Sequence, residues 1–355
     1  MTPTSLMGDR STAKGTDRAR RARSVTAVLM PGDGRPSRIG AAALVVALAI
    51  AFVAPLFVDS VFQIQVLTNT FLGAALAAGL VLSLGWTGLL NLSHGTMYGI
   101  GAYTTAVLVA DHGWSFVASI PVAMALAALG GVILGLASLR VSGDYFALVS
   151  LAFTIAIFEV FRNWEAVTHG VEGFLDIPTI SLFGQVLSGF KPGYYTTLIL
   201  LVLIVGFVAL LTTTFAGRAM LAVRFDPLAA ESMGINVLYT RLLSMGLSGA
   251  LAGIAGSVLV ATVLIIEPNN FNLIESFNTS LWVIIGGMAS LPGTVFAAGI
   301  ITFAMGEFQF LADYSVGLIG IVVLVAVFLR GGVVRDLIEE IMVRRRVRRE
   351  VAERA

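Results

Sequence analysis

Apolar runs near the ~20 residues that a helix needs to cross a bilayer recur from residue 39 to residue 330, with little charge inside them. Hydrophobic residues make up 57% of the chain, well above the roughly 45–50% apolar share of soluble domains. Charged residues are only 12%. In hydrocarbon a chain must satisfy its backbone internally, and a helix does so within one segment. The fold class that follows is an all-α polytopic membrane protein of about ten transmembrane helices. The spans read as 39–58, 61–84, 95–110, 115–139, 145–161, 194–214, 241–266, 279–291, 294–312 and 314–330. The third and eighth are short. Either is a candidate for re-entry, which is tolerated only where protein buries the broken backbone.

Basic residues fix the expected orientation. Residues 1–38 and 330–354 each carry a cluster of them, and Arg218, Arg224 and Arg241 lie around residues 215–240. With these and Arg140 on the cytoplasmic side, 20 of the 22 basic residues face inward, and only Arg162 and Lys191 face out. Six spans precede the 215–240 island and four follow it, so both termini and the island share one side. The outer loops are mildly acidic, with Asp59, Asp111, Glu165, Glu172, Asp176, Glu267, Glu275 and Asp313.

The expected organisation has three parts. Residues 1–38 form a polar, basic, disordered cytoplasmic tail. Residues 39–330 form the transmembrane domain, with a long outer loop at 162–193 that folds as a surface cap. Residues 331–355 form a basic cytoplasmic tail. There Val334, Ile338, Ile341 and Met342 lie near one helical face, which suits either a helix on the membrane surface or a solvated helix. The first apolar run is long enough to span, so an uncleaved anchor is expected rather than a signal peptide.

Several chemistries are excluded. With no cysteine there is no disulfide, thiolate metal site or Cys nucleophile. His94, His112 and His169 show no metal-ligand spacing, and no cofactor, metal or nucleic-acid partner is expected. No phosphate-binding G-x-x-x-x-G-K-[ST] loop is present, so ATP hydrolysis by that machinery must come from elsewhere. Ser93 and His94 are adjacent and point to different sides of a helix, which argues against a nucleophile–base pair. Glu159 and Glu307 lie near the outer ends of their spans. No acid is expected at midplane, which argues against an ion-driven carrier.

Gly95-x-x-x-Gly99, Gly131-x-x-x-Gly135 and Gly249-x-x-x-Gly253 have the spacing that lets helix backbones approach closely. Two other Gly-rich stretches are more polar or interrupted: GWTGLLNLSHGTMYGIGA (85–102) and GGMASLPGTVFAAG (286–299). Interrupted apolar segments in the two halves of a chain point to a translocation path. Tight turns with local hydrogen bonds are the plainer reading. Asn91, Ser93, His94 and Thr96 are the path candidates, His94 as a hydrogen-bonded structural residue rather than a proton carrier. The Asn269, Asn270, Asn272 and Asn278 cluster reads as a solvated outer loop or a receiving surface.

The segment FAGRAMLAVRFDPLAAESMGINV (215–237) is a charged island between two apolar runs. Charge is costly in hydrocarbon, so the island lies outside the bilayer. Gly217, Pro227 and Gly234 break it into one or two short helices, enough to dock on a soluble partner.

Three blocks carry a family resemblance: GWTGLLNLSHGTMYGIGAYTTAVL (85–108), LRVSGDYFALVSLAFTIAIFEVFRNWEAVTHGVEGF (139–174), and GRAMLAVRFDPLAAESMGINV with SGALAGIAGSVLV (217–260). With 286–299 they cover most of 60–330. The chain resembles the branched-chain amino-acid ABC-transporter permeases, and within them the M-type. The importer coupling motif is Glu-Ala-Ala, three residues, then Gly. Ala229, Ala230 and Gly234 fit it, with Leu228 where Glu would stand and without the downstream Ile-x-Leu-Pro. Ser93 stands where Gly is usual, and His169 and Glu172 fall where Gly and Asn would be expected.

The resemblance implies an ABC-importer permease fold in a bacterial inner membrane, with both termini cytoplasmic, importing leucine, isoleucine, valine or a related small compound. The implied partners are a second, H-type permease subunit, two cytoplasmic ATPase subunits and an extracytoplasmic solute-binding protein. The implied coupling residues are Arg218, Arg224, Asp226, Ala230, Glu231 and Gly234. Rival readings are a sister permease for urea, short amides or organic acids, an independent secondary carrier or channel, and a membrane enzyme.

Overall fold

The computed structural model describes residues 38–307, apart from 57–59, 139, 142, 179, 183–184 and 187–188. The expected span at 314–330 and both terminal tails lie outside the described residues, as do Asp59 and Asp313. The described helices, in chain order, are α1 (Arg38–Val53), α2 (Val61–Leu80), α3 (His94–Ala106), α4 (Phe116–Ala137), α5 (Asp144–Asn163) and α6 (Glu165–Thr168). They continue as α7 (Phe190–Thr213), α8 (Phe215–Phe225), α9 (Pro227–Ser232), α10 (Val237–Val263), α11 (Leu273–Gly286) and α12 (Leu291–Glu307). The described strands are β1 (Ser181–Leu182) and β2 (Gln185–Val186), two residues each, which pair antiparallel within the long 162–193 loop. The chain is an all-α, multi-pass membrane protein.

Five described helical stretches are long and apolar enough to cross a membrane: 61–86, 116–137, 145–163, 190–213 and 237–263. The first joins α2 to a π-helical turn, Val81–Trp86. α12, with 17 residues, and the apolar part of α1 are shorter. The third expected span is α3 extended by a π turn, Val107–Asp111. The eighth shifts towards the N-terminus: α11 covers 273–286 rather than 279–291, and its 14 residues reach only ~21 Å at 1.5 Å per residue. That is short of a ~30 Å hydrocarbon core. A short 3-10 turn, Pro268–Phe271, precedes it, with Pro268 and Phe271 buried. The expected total of ten is not reached among the described residues.

Local chemistry sets the helix ends. Ser115 caps α4 by accepting from the Ala118 N–H at 3.4 Å, and Asn236 caps α10 by accepting from the Tyr239 N–H at 2.9 Å. Such caps satisfy backbone donors that have no partner inside the helix. α10 stops at Leu264, which takes a left-handed conformation with φ +60°.

α10 is the hub and packs against α2, α3 and α4. α4 and α5 turn Leu126, Leu129, Ile133, Leu148 and Ile155 outward, as a lipid-facing surface requires. The α4–α10 contact is backbone to backbone. A Cβ at Gly249 would stand 2.5 Å from the Ala127 carbonyl oxygen, and one at Gly131 would collide with the Met245 carbonyl. These two G-x-x-x-G motifs therefore mark a real helix contact, as their spacing permits.

Candidate functional site: a buried polar seam and a helix pair at one face

Between α2 and α3 the backbone runs non-helically from Thr87 to Ser93. Its polar groups must be satisfied by protein, and side chains from two other helices do this. The Leu92 N–H donates to Ser150 Oγ at 3.0 Å, and the Leu92 carbonyl accepts from Thr154 Oγ1 at 3.0 Å. The Asn91 carbonyl accepts from Ser280 Oγ at 3.0 Å. Within the segment, Asn91 Oδ1 accepts from the Ser93 N–H at 2.9 Å and from Ser93 Oγ at 2.8 Å.

A row of hydroxyls continues the seam along α10. Ser83 Oγ lies 3.1 Å from Ser248 Oγ, and Thr87 Oγ1 lies 3.1 Å from Ser244 Oγ. His94 joins them: its Nε2 is 3.0 Å from the Leu76 carbonyl, and its Nδ1 is 3.4 Å from Ser248 Oγ. A carbonyl only accepts, so Nε2 carries the hydrogen and the ring sits in that tautomer.

Asn91, Ser93 and His94 therefore meet in one buried seam, with Asn91 at 1% exposure and Ser93 and His94 at 0%, and Thr96, also at 0%, is buried in the first turn of α3. In this conformation they contact protein rather than solvent. Ser93 and His94 turn to different partners and form no nucleophile–base pair. Thr96 Oγ1 and the nearby Ser276 Oγ are buried without a hydrogen-bond partner. The supporting hydroxyls of Ser150, Thr154, Ser244, Ser248 and Ser280 were not singled out from sequence. A signal existed: 150/154 and 244/248 are spaced by four, which aligns each pair on one helix face.

The 215–240 island folds as α8 and α9. Thr214 Oγ1 caps α8 by accepting from the Gly217 N–H at 3.3 Å. Asp226 ends α8 and starts α9, with Oδ1 accepting from Leu228 N at 3.0 Å and Ala229 N at 3.1 Å. Pro227 then sits at the first helical position, where its missing N–H costs nothing. Gly234 has φ +82° and open space around it, the conformation glycine adopts most readily. Arg218, Asp226, Glu231 and Gly234 are exposed, whereas Ala230 is buried.

Apolar side chains are exposed here too: Phe215 at 71%, Phe225 at 68%, Leu228 at 78% and Met233 at 82%. These side chains leave apolar surface uncovered among the described residues. Met220 and Val223 pack inward. Arg224 also departs from the exposed set. Its guanidinium is half-buried, which lowers its pKa from the usual arginine value, and it donates to the Gly85 carbonyl and approaches Met288 Sδ at 3.5 Å.

The opposite face carries the 162–193 loop. His169 Nε2 lies 3.3 Å from Asp111 Oδ2, and Phe174 bridges Ile266. Phe271 packs edge-on to Tyr98, Tyr103 and Phe161. Of the asparagine cluster, Asn269 and Asn270 are exposed, while Asn272 caps α11 by accepting from the Glu275 N–H at 3.1 Å.

Glu275 is not in a loop, contrary to the sequence reading. It lies in the first turn of α11, and its neighbour Ser276 touches Gly95 in the first turn of α3. From there α3 and its π turn run roughly 25 Å to Asp111 at 1.5 Å per residue. An acid does therefore stand deep in the bundle, and the argument against an ion-driven carrier from its absence does not hold. The sequence missed this because an Asn-rich, acidic stretch reads as solvated, and nothing local reveals that Pro268 and Phe271 are buried.

Residues 60–327 match the family model described as "Branched-chain amino acid transport system / permease component". The chain is 32% identical over 298 residues to the high-affinity branched-chain amino acid transport system permease protein LivM of Escherichia coli (strain K12), covering 78% of this chain and 70% of that protein. It is 27% identical to the corresponding LivH protein of the same organism, covering 70% of this chain and 84% of that one. It is 30% identical to the galactofuranose transporter permease protein YtfT of E. coli, covering 71% and 74%. No solved structure matches.

Proposed function

The chain belongs to the family of permease components of branched-chain amino acid transport systems, and from that premise we propose that it is the M-type permease subunit of an ATP-driven importer of branched-chain or related amino acids. Its likeness to both LivM and LivH supports pairing with a second, H-type permease of similar fold. Two cytoplasmic ATPases supply the energy, and an extracytoplasmic binding protein delivers the solute. The membrane is the bacterial inner membrane, and both termini face the cytoplasm.

The observation that carries this reading is the α8–α9 pair. It packs against the bundle through Met220 and Val223, is shaped by the Asp226 cap and the left-handed Gly234, and leaves Phe225, Leu228 and Met233 exposed for a partner. We assign ATPase coupling to Arg218, Arg224, Asp226, Ala230, Glu231 and Gly234. The docked loop biases the two conformations of the permease by contacting the ATPase differently in each. Asn91, Ser93, His94 and Thr96 belong to the path. Their present burial corresponds to a closed arrangement, which opens when the segment 87–93 exchanges its protein partners for water and solute.

The test is reconstitution in liposomes. The chain with its second permease, the ATPases and a loaded binding protein is expected to accumulate leucine when ATP is supplied. The chain alone is expected to accumulate none. Accumulation by the isolated chain under an ion gradient would replace this reading with a secondary carrier. The likeness to a galactofuranose transporter permease supports a second reading in which the solute is not an amino acid. Ligand screening of the cognate binding protein decides between the two.

A further inference from the structure

Arg224 differs from the other charged residues of the helix pair. Arg218 and Glu231 are exposed, whereas the Arg224 side chain turns back into the bundle. No carboxylate lies within ion-pair distance of it among the described residues, where the one histidine–carboxylate contact, His169–Asp111, is on the other face. Its partners are the Gly85 carbonyl and the Met288 sulfur. Gly85 lies in the π turn that ends α2, and Met288 follows Gly287, the C-cap of α11. Gly88 closes over the stem: a Cβ there would stand 3.3 Å from Arg224 Cγ.

The carbonyls at a helix C-terminus carry partial negative charge. The Gly85 carbonyl, at the end of α2, therefore meets the cation directly, and the Met288 thioether, just past the end of α11, lies against it. These two helix ends also open the two Gly-rich interrupted segments, 85–102 and 286–299. On the far side of α8–α9 the exposed apolar residues await a partner. The guanidinium is thus the polar connection between a surface that a partner would push and the two irregular segments that border the buried seam.

We propose that Arg224 is a positioning residue that ties the α8–α9 pair to the C-terminal ends of α2 and α11, so that displacement of the pair is passed to both segments together. The proposal rests on the coupling role given to α8–α9 above. It separates Arg224 from the docking surface and gives it the task of transmission. Lysine keeps the charge but not the fork of donors, and glutamine keeps an amide donor group without the charge.

The experiment uses the complete complex in liposomes, with leucine and its binding protein as the transport probe. ATP hydrolysis and uptake are read in the same sample for wild type, Arg224→Gln and Arg224→Lys. Arg224→Gln is expected to retain its ATPase subunits. Its uptake per ATP is expected to fall about tenfold, within the 5–150-fold range of ordinary coupling between sites. Arg224→Lys is expected to recover part of the loss.

A second readout is the distance between spin labels at Ser232→Cys and Ala289→Cys, in a chain that has no cysteine of its own. In the wild type the distance is expected to stay the same with and without nucleotide. In Arg224→Gln its distribution is expected to broaden. If that variant does not accumulate, Arg224→Lys carries both measurements. Unchanged uptake per ATP in Arg224→Gln overturns the proposal. So does loss of the ATPase subunits from that complex, which would return Arg224 to the docking surface. Absence of ATP-driven uptake by the wild-type complex counts instead against the functional reading, and the label distance still reports on the link.

Discussion

Replacing Gly249 with alanine adds a single methyl group at the α4–α10 contact, and the structure sets the sign of its effect. The new Cβ would stand 2.5 Å from the Ala127 carbonyl oxygen, whereas ordinary contact begins at 3.4 Å. The two backbones must part by about 0.9 Å, and overpacking of this kind costs about 1–3 kcal/mol. Against this, alanine in a helix gains about 0.5–1 kcal/mol over glycine. The net expectation is a loss of up to about 2.5 kcal/mol. Gly206 on α7 is the matched control, exposed and with nothing within 4 Å of an added Cβ. The same substitution there should gain about 0.5–1 kcal/mol. Detergent-solubilised chains titrated with denaturant and followed by helical circular dichroism give the two midpoints. Shifts of the same sign in both variants would refute the claim that α4 and α10 meet backbone to backbone.

Three other outcomes are expected. Gly234→Val forces a branched side chain into a left-handed conformation, at a cost of about 1–2 kcal/mol. Uptake by the complete complex should fall while membrane insertion is intact, and Gly234→Asn should be milder because asparagine tolerates that region. Glu275→Gln removes a carboxylate that has no ion-pair or hydrogen-bond partner among the described residues. It should raise the free energy of unfolding by about 1–2 kcal/mol. Asp111→Asn breaks the exposed His169 pair and should change stability by less than about 1 kcal/mol. A larger loss would show that the loop depends on that contact.

Whatever followed from spacing and charge was legible in the sequence. The apolar runs give the helices their type and approximate bounds, and Asp226-Pro227 with Gly234 marks where the 215–240 island breaks. Asn91, Ser93, His94 and Thr96 stand out as polar residues among glycines; the fold buries all four and joins the first three in one hydrogen-bonded seam. What escaped depends on tertiary cover. The hydrogen-bond partner of Arg224 is a backbone carbonyl, which no side-chain pattern encodes. Glu275 lies in a stretch whose composition matches an exposed loop, and only the packing of Phe271 against Tyr98 and Tyr103 draws it inward. The start of α11 was displaced for the same reason: Asn272 caps it from within a run of asparagines that all look alike in one dimension.

The glycine seam between α4 and α10 has a mechanical consequence. Where two main chains touch directly, no rotamers are available to rearrange, and sliding by a fraction of a turn would drive carbonyls into methylenes. The two helices are keyed together like a tongue in its slot. Any working motion of this subunit has to swing around that fixed post rather than through it.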